Sequence, residues 1–557
     1  MTVAVRMGVP VLWAGIWVAL VALAVVTRPI LPMDETRYVS VAWEMWRDGQ
    51  FVVPHLNGEP YSHKPPLLFW LITAGWAAFG VNDWWPRLVA PLFGLAALAM
   101  TGMLARRLWP ERPNLEAAAT LLLLGGLFWS LFTTLTMFDM LVTACALLGL
   151  LGLLRAWRRE GIAGFAVFGV ALGLGVLAKG PAIALHLLPV ALLAPVWGPR
   201  LAANDRQAGQ SPGGWRRWYL GLGAALGLGV LIALAWAVPA AIVGGESYGR
   251  AIFWGQSAGR MVDSFAHGRP WWWFLAVLPG MLLPWTIWPQ LWRALRSRAS
   301  TAFGDGGVRF CLCWLVVALG AFSAISGKQL HYLLPEMPAI ALLFAALLFP
   351  ATPVDGAVRW RWDVWPPAGL VIVACLAVVA LPVANLVTDL PPWADTLAPA
   401  WALIGIAAGG AVLWRSPEGL LPRIAVLTSL TAALVAIVHF VAQPTLARSF
   451  DLSPVAVRLA AWERDGYALA NFGKYHGQFH FLGRLRAPMS AIGLTASDQA
   501  DWLARHARGK IVSYQRTLPT EAVPDLVAPF RGRKIVVWDA EVVRAHPTAP
   551  YRDDDGD

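Results

Sequence analysis

The stretch "LPMDETRYVSVAWEM", Leu31–Met45, decides how the chain is read. Before it lies an apolar run from Met7 to Thr27 without a single charged residue; in it Asp34, Glu35 and Arg37 stand side by side. The apolar core of the run, about 18 residues, is long enough to cross a bilayer and long for the core of a signal peptide. A retained signal anchor is therefore expected, with a cleaved signal peptide as the other reading. The charge cluster then sits where the chain emerges from the membrane.

The rest of the chain repeats the apolar half of this pattern. Of 557 residues, 58% are hydrophobic and 14% charged, against roughly 25% charged in soluble domains. Mean hydropathy is +0.57. Apolar runs recur at 9–27, 85–105, 114–133, 136–155, 162–178, 181–197, 218–243, 271–291, 308–326, 330–349, 366–388, 397–414 and 422–442. These predict an α-helical polytopic membrane protein with about 13 transmembrane helices, since backbone groups in lipid must be paired within their own segment. Cys145, Cys311, Cys313 and Cys375 all lie inside apolar runs and form neither a disulfide framework nor a zinc motif.

Charge sets the orientation. The loops "RRLWPER", "RAWRRE", "RRW" (216–218), "RALRSR", "RWRW" and "RSPEGLLPR" fall on one side of successive spans, and Arg-rich loops face the cytoplasm. The net charge of +11 is explained by these loops, and no basic-aromatic module points to nucleic acid. The loop 28–84, the loop 244–270 and the tail are then outside. Residues 1–443 are expected to form the membrane unit. Residues 444–557, with dispersed charge, a helix-like "ASDQADWLARHARG" and strand-like "KIVSYQ" and "KIVVWDA", are expected to form a small α/β domain on the outer face.

Ionisable residues near a bilayer are costly and mark function by default. Outside the Arg-rich loops they are Asp34, Glu35, Arg37, Lys64, Asp139, Lys179, Arg260, His267, Lys328 and His331, and each maps to the outer side. Snorkelling or helix-dipole pairing would account for any one of them. A single outward-facing site accounts for the set. Lys64 is pinned before Pro65–Pro66, which suits a lysine meeting a lipid phosphate as a point charge. Asp139 opens an apolar helix, Lys179 sits in the turn "LAKGP", and Lys328, His331 and Tyr332 share the turn "SGKQLHYLLPEMP". Cations suit a phosphate; acids suit a metal, a hydroxyl or an amine. A lipid-linked phosphorylated substrate fits this combination.

These residues also form an ordered pattern: "DETRY", then "LNG", then "HKPPLLFW", followed by "LAKGP", "HGRPWWWFLAVLPGMLLPW" and "SGKQLHYLLPEMPAIALL". The pattern closely resembles the bacterial aminoarabinose-transferase-like glycosyltransferases of the GT-C superfamily, which is related to the protein O-mannosyltransferases. The resemblance covers roughly 30–350, and "FGKYHGQFHFLGRLRAPM" near the C-terminus is similar to a less specific part of the family. It implies transfer of a sugar from a polyprenyl-phosphate donor at the outer face of the bacterial inner membrane. In the best-known branch the sugar is 4-amino-4-deoxy-L-arabinose and the acceptor a lipid A phosphate.

By the same resemblance, Asp34 and Asp139 match catalytic acids, and Lys64, Arg260, Tyr332 and Lys328 match donor-phosphate contacts. Glu35, Arg37 and Lys179 are supports. The family usually has Glu where this chain has His63, which leaves the cofactor unknown; a divalent metal, if bound, would use Asp34, His63 and His267. Leu330 stands where the family commonly has Pro. Direct displacement predicts inversion at the anomeric carbon. Another acceptor within the superfamily, a protein or another glycolipid or polysaccharide, stays open. A transporter of lipid-linked sugars would instead show polar residues at the midplane and broken, repeated helices. A scaffold would not need the first-loop acids and cations.

Overall fold

The computed structural model describes residues 3–158, 161–204, 214–254, 268–351, 361–385, 393–493 and 495–551. The chain enters as α1 (Val3–Thr27) and turns into α2 (Asp34–Asp48). A two-stranded hairpin follows, β1 (His55–Leu56) and β2 (Glu59–Pro60), closed by Asn57 and Gly58 at φ 58° and 80°. An Asn-Gly pair suits this left-handed two-residue turn. Glu44 of α2 accepts the N–H groups of Asn57 (2.5 Å) and Gly58 (2.9 Å), fixing the hairpin to the helix. Next come α3 (Leu67–Phe79), α4 (Trp84–Leu108), α5 (Pro113–Leu124), α6 (Leu127–Phe132), α7 (Asp139–Trp157) and α8 (Ala163–Lys179).

Among the described residues eight helices are long and apolar enough to cross a membrane: Gly8–Thr27, Trp84–Leu108, Asp139–Trp157, Trp215–Trp254, Gly306–Ala324, Leu330–Leu348, Trp362–Ala384 and Leu420–Arg464. The pair Ile183–Leu192 and Ala194–Leu201, bent by 59°, would make a ninth. Shorter apolar helices lie at Leu67–Phe79, Asn114–Leu124, Ala163–Lys179 and Pro399–Trp414.

Several apolar runs are interrupted where hydropathy sees one segment. The run 114–133 breaks at Gly125–Gly126, where Gly126 turns extended and a Cβ on Gly125 would meet Thr428 Oγ1 and Trp285 Cζ2 at 2.6 Å. The run 271–291 is a helix, Trp273–Met281, a 3₁₀ turn, Trp285–Ile287, and the start of an amphipathic helix, Pro289–Ala302. Its prolines Pro279 and Pro284 remove helix hydrogen bonds. The loop 28–84 contains the apolar helix α3, whose 13 residues extend about 20 Å, short of the roughly 30 Å hydrocarbon core.

Small residues let the helices approach closely. α7 and α8 meet at Gly152 and Gly164, where a Cβ on Gly152 would lie 2.9 Å from the Gly164 carbonyl oxygen. This close antiparallel pair brings the start of α7 beside the end of α8.

After the helix Leu420–Ser449 the chain forms a five-stranded sheet from β3 (Ala468–Phe472), β4 (Ser490–Ile492), β5 (Gly509–Gln515), β6 (Leu526–Phe530) and β7 (Arg533–Asp539), in the order β4-β3-β5-β7-β6. β3 is parallel to β4 and β5; β7 is antiparallel to β5 and β6. The alternation of strand side chains divides its core between two faces. Val512, Ile535 and Val537 pack with Leu459 and Trp462 on one; Ile511, Val536 and Trp538 pack with Trp502 on the other. The strand-like and helix-like runs of the tail fold accordingly, with Ala496–Arg505 capped by the Thr495 side chain.

This sheet unit docks on α2 and the hairpin. Ser40 Oγ donates to the Gly477 carbonyl (2.6 Å), Trp43 Nε1 to that of Leu485 (3.1 Å), and Asn57 exchanges two hydrogen bonds with the Met489 backbone. Trp76 of α3 stacks on Phe481, ring centroids 5.3 Å apart.

Candidate active site

Helical geometry separates neighbours by about 100° around the axis, so Asp34 and Glu35 face different surroundings. The Asp34 side chain is 52% exposed, pairs with Arg37 one turn on, and accepts from the Tyr38 hydroxyl at 3.4 Å. Burial first, then the Asp34 charge, raises the Tyr38 phenol well above its usual range, so Tyr38 stays a neutral donor. Glu35 is buried and pairs with Arg28. It also accepts the N–H groups of Leu31 (2.8 Å) and Thr136 (2.6 Å), while Arg28 donates to the Thr134 carbonyl (2.9 Å). Glu35 and Arg28 therefore clamp the start of α2 onto the segment that leads into Asp139.

Asp139 is the first residue of α7 and Lys179 the last of α8, the ends at which the helix dipoles favour an acid and a base. Their side chains pair at 2.5 Å, both largely buried. Lys179 Nζ lies 4.7 Å from the Tyr332 ring centroid, and His331 packs edge-on against Tyr332. His331 interacts electrostatically with Asp139, Lys179, Lys64 and Asp34 together.

Aromatic rings bridge the two acids. Phe138 packs edge-on against Tyr38 and Phe69, with ring centroids at 4.9 and 5.6 Å, and Lys64 Nζ lies 5.7 Å from the Phe138 ring. Tyr61 packs against His63 and Phe69. Asp34, Arg37, Lys64, Asp139, Lys179, His331 and Tyr332 thus surround one region at one end of the helix bundle. Clustered cations of this kind attract an anionic group.

Lys328 is placed differently. It is buried, and its Nζ donates to the carbonyls of Arg269 (2.9 Å) and Ile325, joining the 268–269 strand-like segment to the turn after Gly306–Ala324. Arg260 and His267 lie outside the described residues. Among the described residues no three His, Cys, Asp or Glu side chains group as a metal site, and Asp34 is engaged by Arg37. Reading the sequence missed Tyr38, although its position four residues after Asp34 on a helix signals contact, and it missed Arg28. No local signal marks Arg28, whose carbonyl partner is 106 residues away.

Residues 63–205 match the family model described as dolichyl-phosphate-mannose-protein mannosyltransferase. The structure aligns with ArnT from Cupriavidus metallidurans bound to undecaprenyl phosphate, at 20% identity and a TM-score of 0.69, covering 95% of this chain and 98% of that one. The apo form aligns with a TM-score of 0.71 at 19% identity, covering 96% and 98%. The fold is thus that of a multi-pass GT-C membrane protein with a small C-terminal sheet unit.

Curated relatives narrow the class. An undecaprenyl phosphate-alpha-4-amino-4-deoxy-L-arabinose arabinosyl transferase of Pseudomonas aeruginosa (strain LESB58) is 31% identical over 404 residues, 69% of this chain and 67% of that protein. The chain belongs to this arabinosyl transferase family. A second relative, from Pseudomonas fluorescens (strain Pf0-1), is 30% identical over 57% of this chain, and the match spans only 55% of that relative's length.

Proposed function

We propose that the protein is a glycosyltransferase that moves 4-amino-4-deoxy-L-arabinose, or a closely related sugar, from undecaprenyl phosphate to a phosphate of lipid A. The site would face the periplasm from the bacterial inner membrane, as the Arg-rich loops on the opposite side suggest. The observation that carries the reading is the gathering of Asp34, Lys64, Asp139 and Lys179 around the rings of Tyr38, Phe138 and Tyr332, in a chain of this family.

The bond that breaks joins the anomeric carbon to the phosphate of the polyprenyl donor, and charge collects on that phosphate as it leaves. Lys64 would stabilise this charge, with Arg260 as a further contact and Tyr332 lining the site. Lys179, neutralised by Asp139, would hold the site's shape. An acceptor phosphate is already anionic, so no proton needs to leave it. Its oxygen attacks as the donor C–O bond opens, polyprenyl phosphate departs, and the configuration inverts. Asp34 would then orient the sugar, its carboxylate suiting the donor's amine. Lys328 would act by holding the loop at Arg269. A metal at Asp34 and His63, with His267, stays a proposal that metal titration would decide.

The test is incubation of the purified protein with labelled undecaprenyl-phosphate aminoarabinose and lipid A. Mass spectrometry should find free undecaprenyl phosphate and lipid A heavier by one sugar. Movement of intact donor across vesicle membranes without its cleavage would favour a transporter, and sugar appearing only on protein would move the acceptor elsewhere in the superfamily.

A further inference from the structure

One turn beyond Tyr332 lies a further buried polar pair, which the chemistry proposed above does not use. His186 Nδ1 and Glu336 Oε1 are 2.5 Å apart, and their side chains are 2% and 0% exposed. His186 belongs to the helix Ile183–Leu192, which follows α8 and Lys179 across a short turn. Glu336 is the last residue of the 3₁₀ helix Leu330–Glu336, which carries His331 and Tyr332 and runs straight into the α-helix Met337–Leu348. Glu336 Oε2 has no hydrogen-bond partner among the described residues, so there the carboxyl is anchored through His186.

The winding of this segment is unusual. 3₁₀ runs longer than three or four residues are uncommon, because their hydrogen bonds are poorer than those of an α-helix. This one has seven residues. Pro335 lies inside it and has no N–H to bond back to residue 331, so an α-helical ladder would also be incomplete. Side chains must then set its rotation. Just before it, Lys328 is held by the Arg269 (2.9 Å) and Ile325 carbonyls. Within it, the Tyr332 ring centroid lies 4.7 Å from Lys179 Nζ and 6.0 Å from the Phe322 ring. At its end Glu336 is held by His186, whose own ring lies 5.4 Å from the same Phe322. Tyr332 and Glu336 are four residues apart. Such residues point about 120° apart on a 3₁₀ helix and about 40° apart on an α-helix. A segment that rewound toward α would therefore swing Tyr332 by about 80° relative to Glu336. An apolar contact has no preferred direction, whereas a hydrogen bond does. The pair can thus hold a rotation that packing alone would let slip.

We propose that His186 and Glu336 are a positioning pair that fixes the rotation of Leu330–Glu336 and so seats the Tyr332 ring against Lys179 and Phe322. Neither residue takes part in a step of the displacement; both act through Tyr332. The consequence for transfer rests on the transferase reading above, and the seating of Tyr332 does not.

The test places 3-fluorotyrosine in place of Tyr332 in the full chain, in lipid nanodiscs, and reads its fluorine-19 resonance beside transfer by the unlabelled protein. In His186→Leu the resonance should move or split. The kcat/KM for undecaprenyl-phosphate aminoarabinose should fall roughly ten- to hundredfold, the scale of a misplacement of about 1 Å, with the acceptor KM near wild type. His186→Asn, which keeps a polar atom where Nδ1 lies, should restore both readouts. A wild-type resonance in folded His186→Leu overturns the proposal, whatever the activity does. If His186→Leu loses thermal stability, the double variant His186→Leu/Glu336→Leu decides, because it leaves neither partner buried and unpaired. A displaced resonance there supports the pair, and an unmoved one refutes it. If the wild-type protein never cleaves the donor, the transferase reading fails separately, and the resonance still decides the role of the pair.

Discussion

Lys179 Nζ lies 2.5 Å from Asp139 Oδ1, joining the last residue of α8 to the first residue of α7. Each helix presents its end of matching dipole, and the antiparallel packing of α7 on α8 brings the two ends side by side. The pair is a buried ion pair within a membrane protein, so its removal is asymmetric. Losing one partner strands a charge, at a cost of roughly 3–5 kcal/mol in soluble proteins, whereas replacing both with neutral groups costs far less. Lys179→Met is therefore expected to lower the thermal unfolding temperature in detergent. Asp139→Asn combined with Lys179→Met should recover much of the loss. Equal stability of the single and double variants would count against a buried pair.

Asp34 and Lys64 should behave in the opposite way. The Asp34–Arg37 pair is partly exposed, and such pairs contribute about 0–1 kcal/mol. Asp34→Asn and Lys64→Ala are expected to unfold within about 1 kcal/mol of wild type. Transfer should nevertheless fall, by roughly 10²–10³ for Lys64→Ala, the effect of removing one preorganised donor to developing charge. The measurement is release of undecaprenyl phosphate beside a thermal unfolding curve on the same preparation. Wild-type turnover in Lys64→Ala would refute its role.

What was legible in the sequence followed from contrast. In so apolar a chain, Asp34, Lys64, Asp139 and Lys179 stand out, and the structure gathers them because each sits at a helix end or proline-bound turn of known direction. Where a side chain goes after its turn was not legible. Lys179 and Lys328 look alike in sequence, each in a short turn after an apolar run, but one turns to a carboxylate and the other to the Arg269 carbonyl. Glu35 sits next to Asp34, yet its partners are Arg28 and the Thr136 amide. Hydropathy likewise read 271–291 as one span, because it averages over prolines that break the hydrogen-bond ladder. The docking of the 475–489 segment on α2 depends on contacts more than 400 residues apart, which no local pattern encodes.

Gly477 tests that docking. It has φ 74°, and a Cβ there would lie 2.3 Å from Leu56 Cδ1. A left-handed conformation costs a non-glycine residue roughly 1–2 kcal/mol before any clash is counted. Gly477→Ala is expected to loosen the loop from β1 while leaving the membrane helices folded. Hydrogen exchange should rise across 473–489 and at Ser40, and stay unchanged in α7 and α8. Unchanged exchange across 473–489 would mean that the loop accommodates the methyl group and that the docking is not tight.

Glu35 carries a pH dependence. Burial pushes its carboxyl up, but the Arg28 charge and hydrogen bond, with the amides of Thr136 and Leu31, outweigh it, so the group sits below its ordinary value of 4.5. The unfolded chain then binds the proton more readily, and stability rises with pH through this window. The contribution is fully present above the ordinary value and is lost as pH falls through the lower folded one. At about pH 7, Glu35→Gln leaves buried Arg28 without its countercharge and should destabilise by roughly 3–5 kcal/mol. As the medium is acidified below the ordinary glutamate range, wild type should lose that advantage and the two unfolding curves should converge. Parallel curves at every pH would show that the Arg28–Glu35 contact does not anchor the first loop to the segment before Asp139.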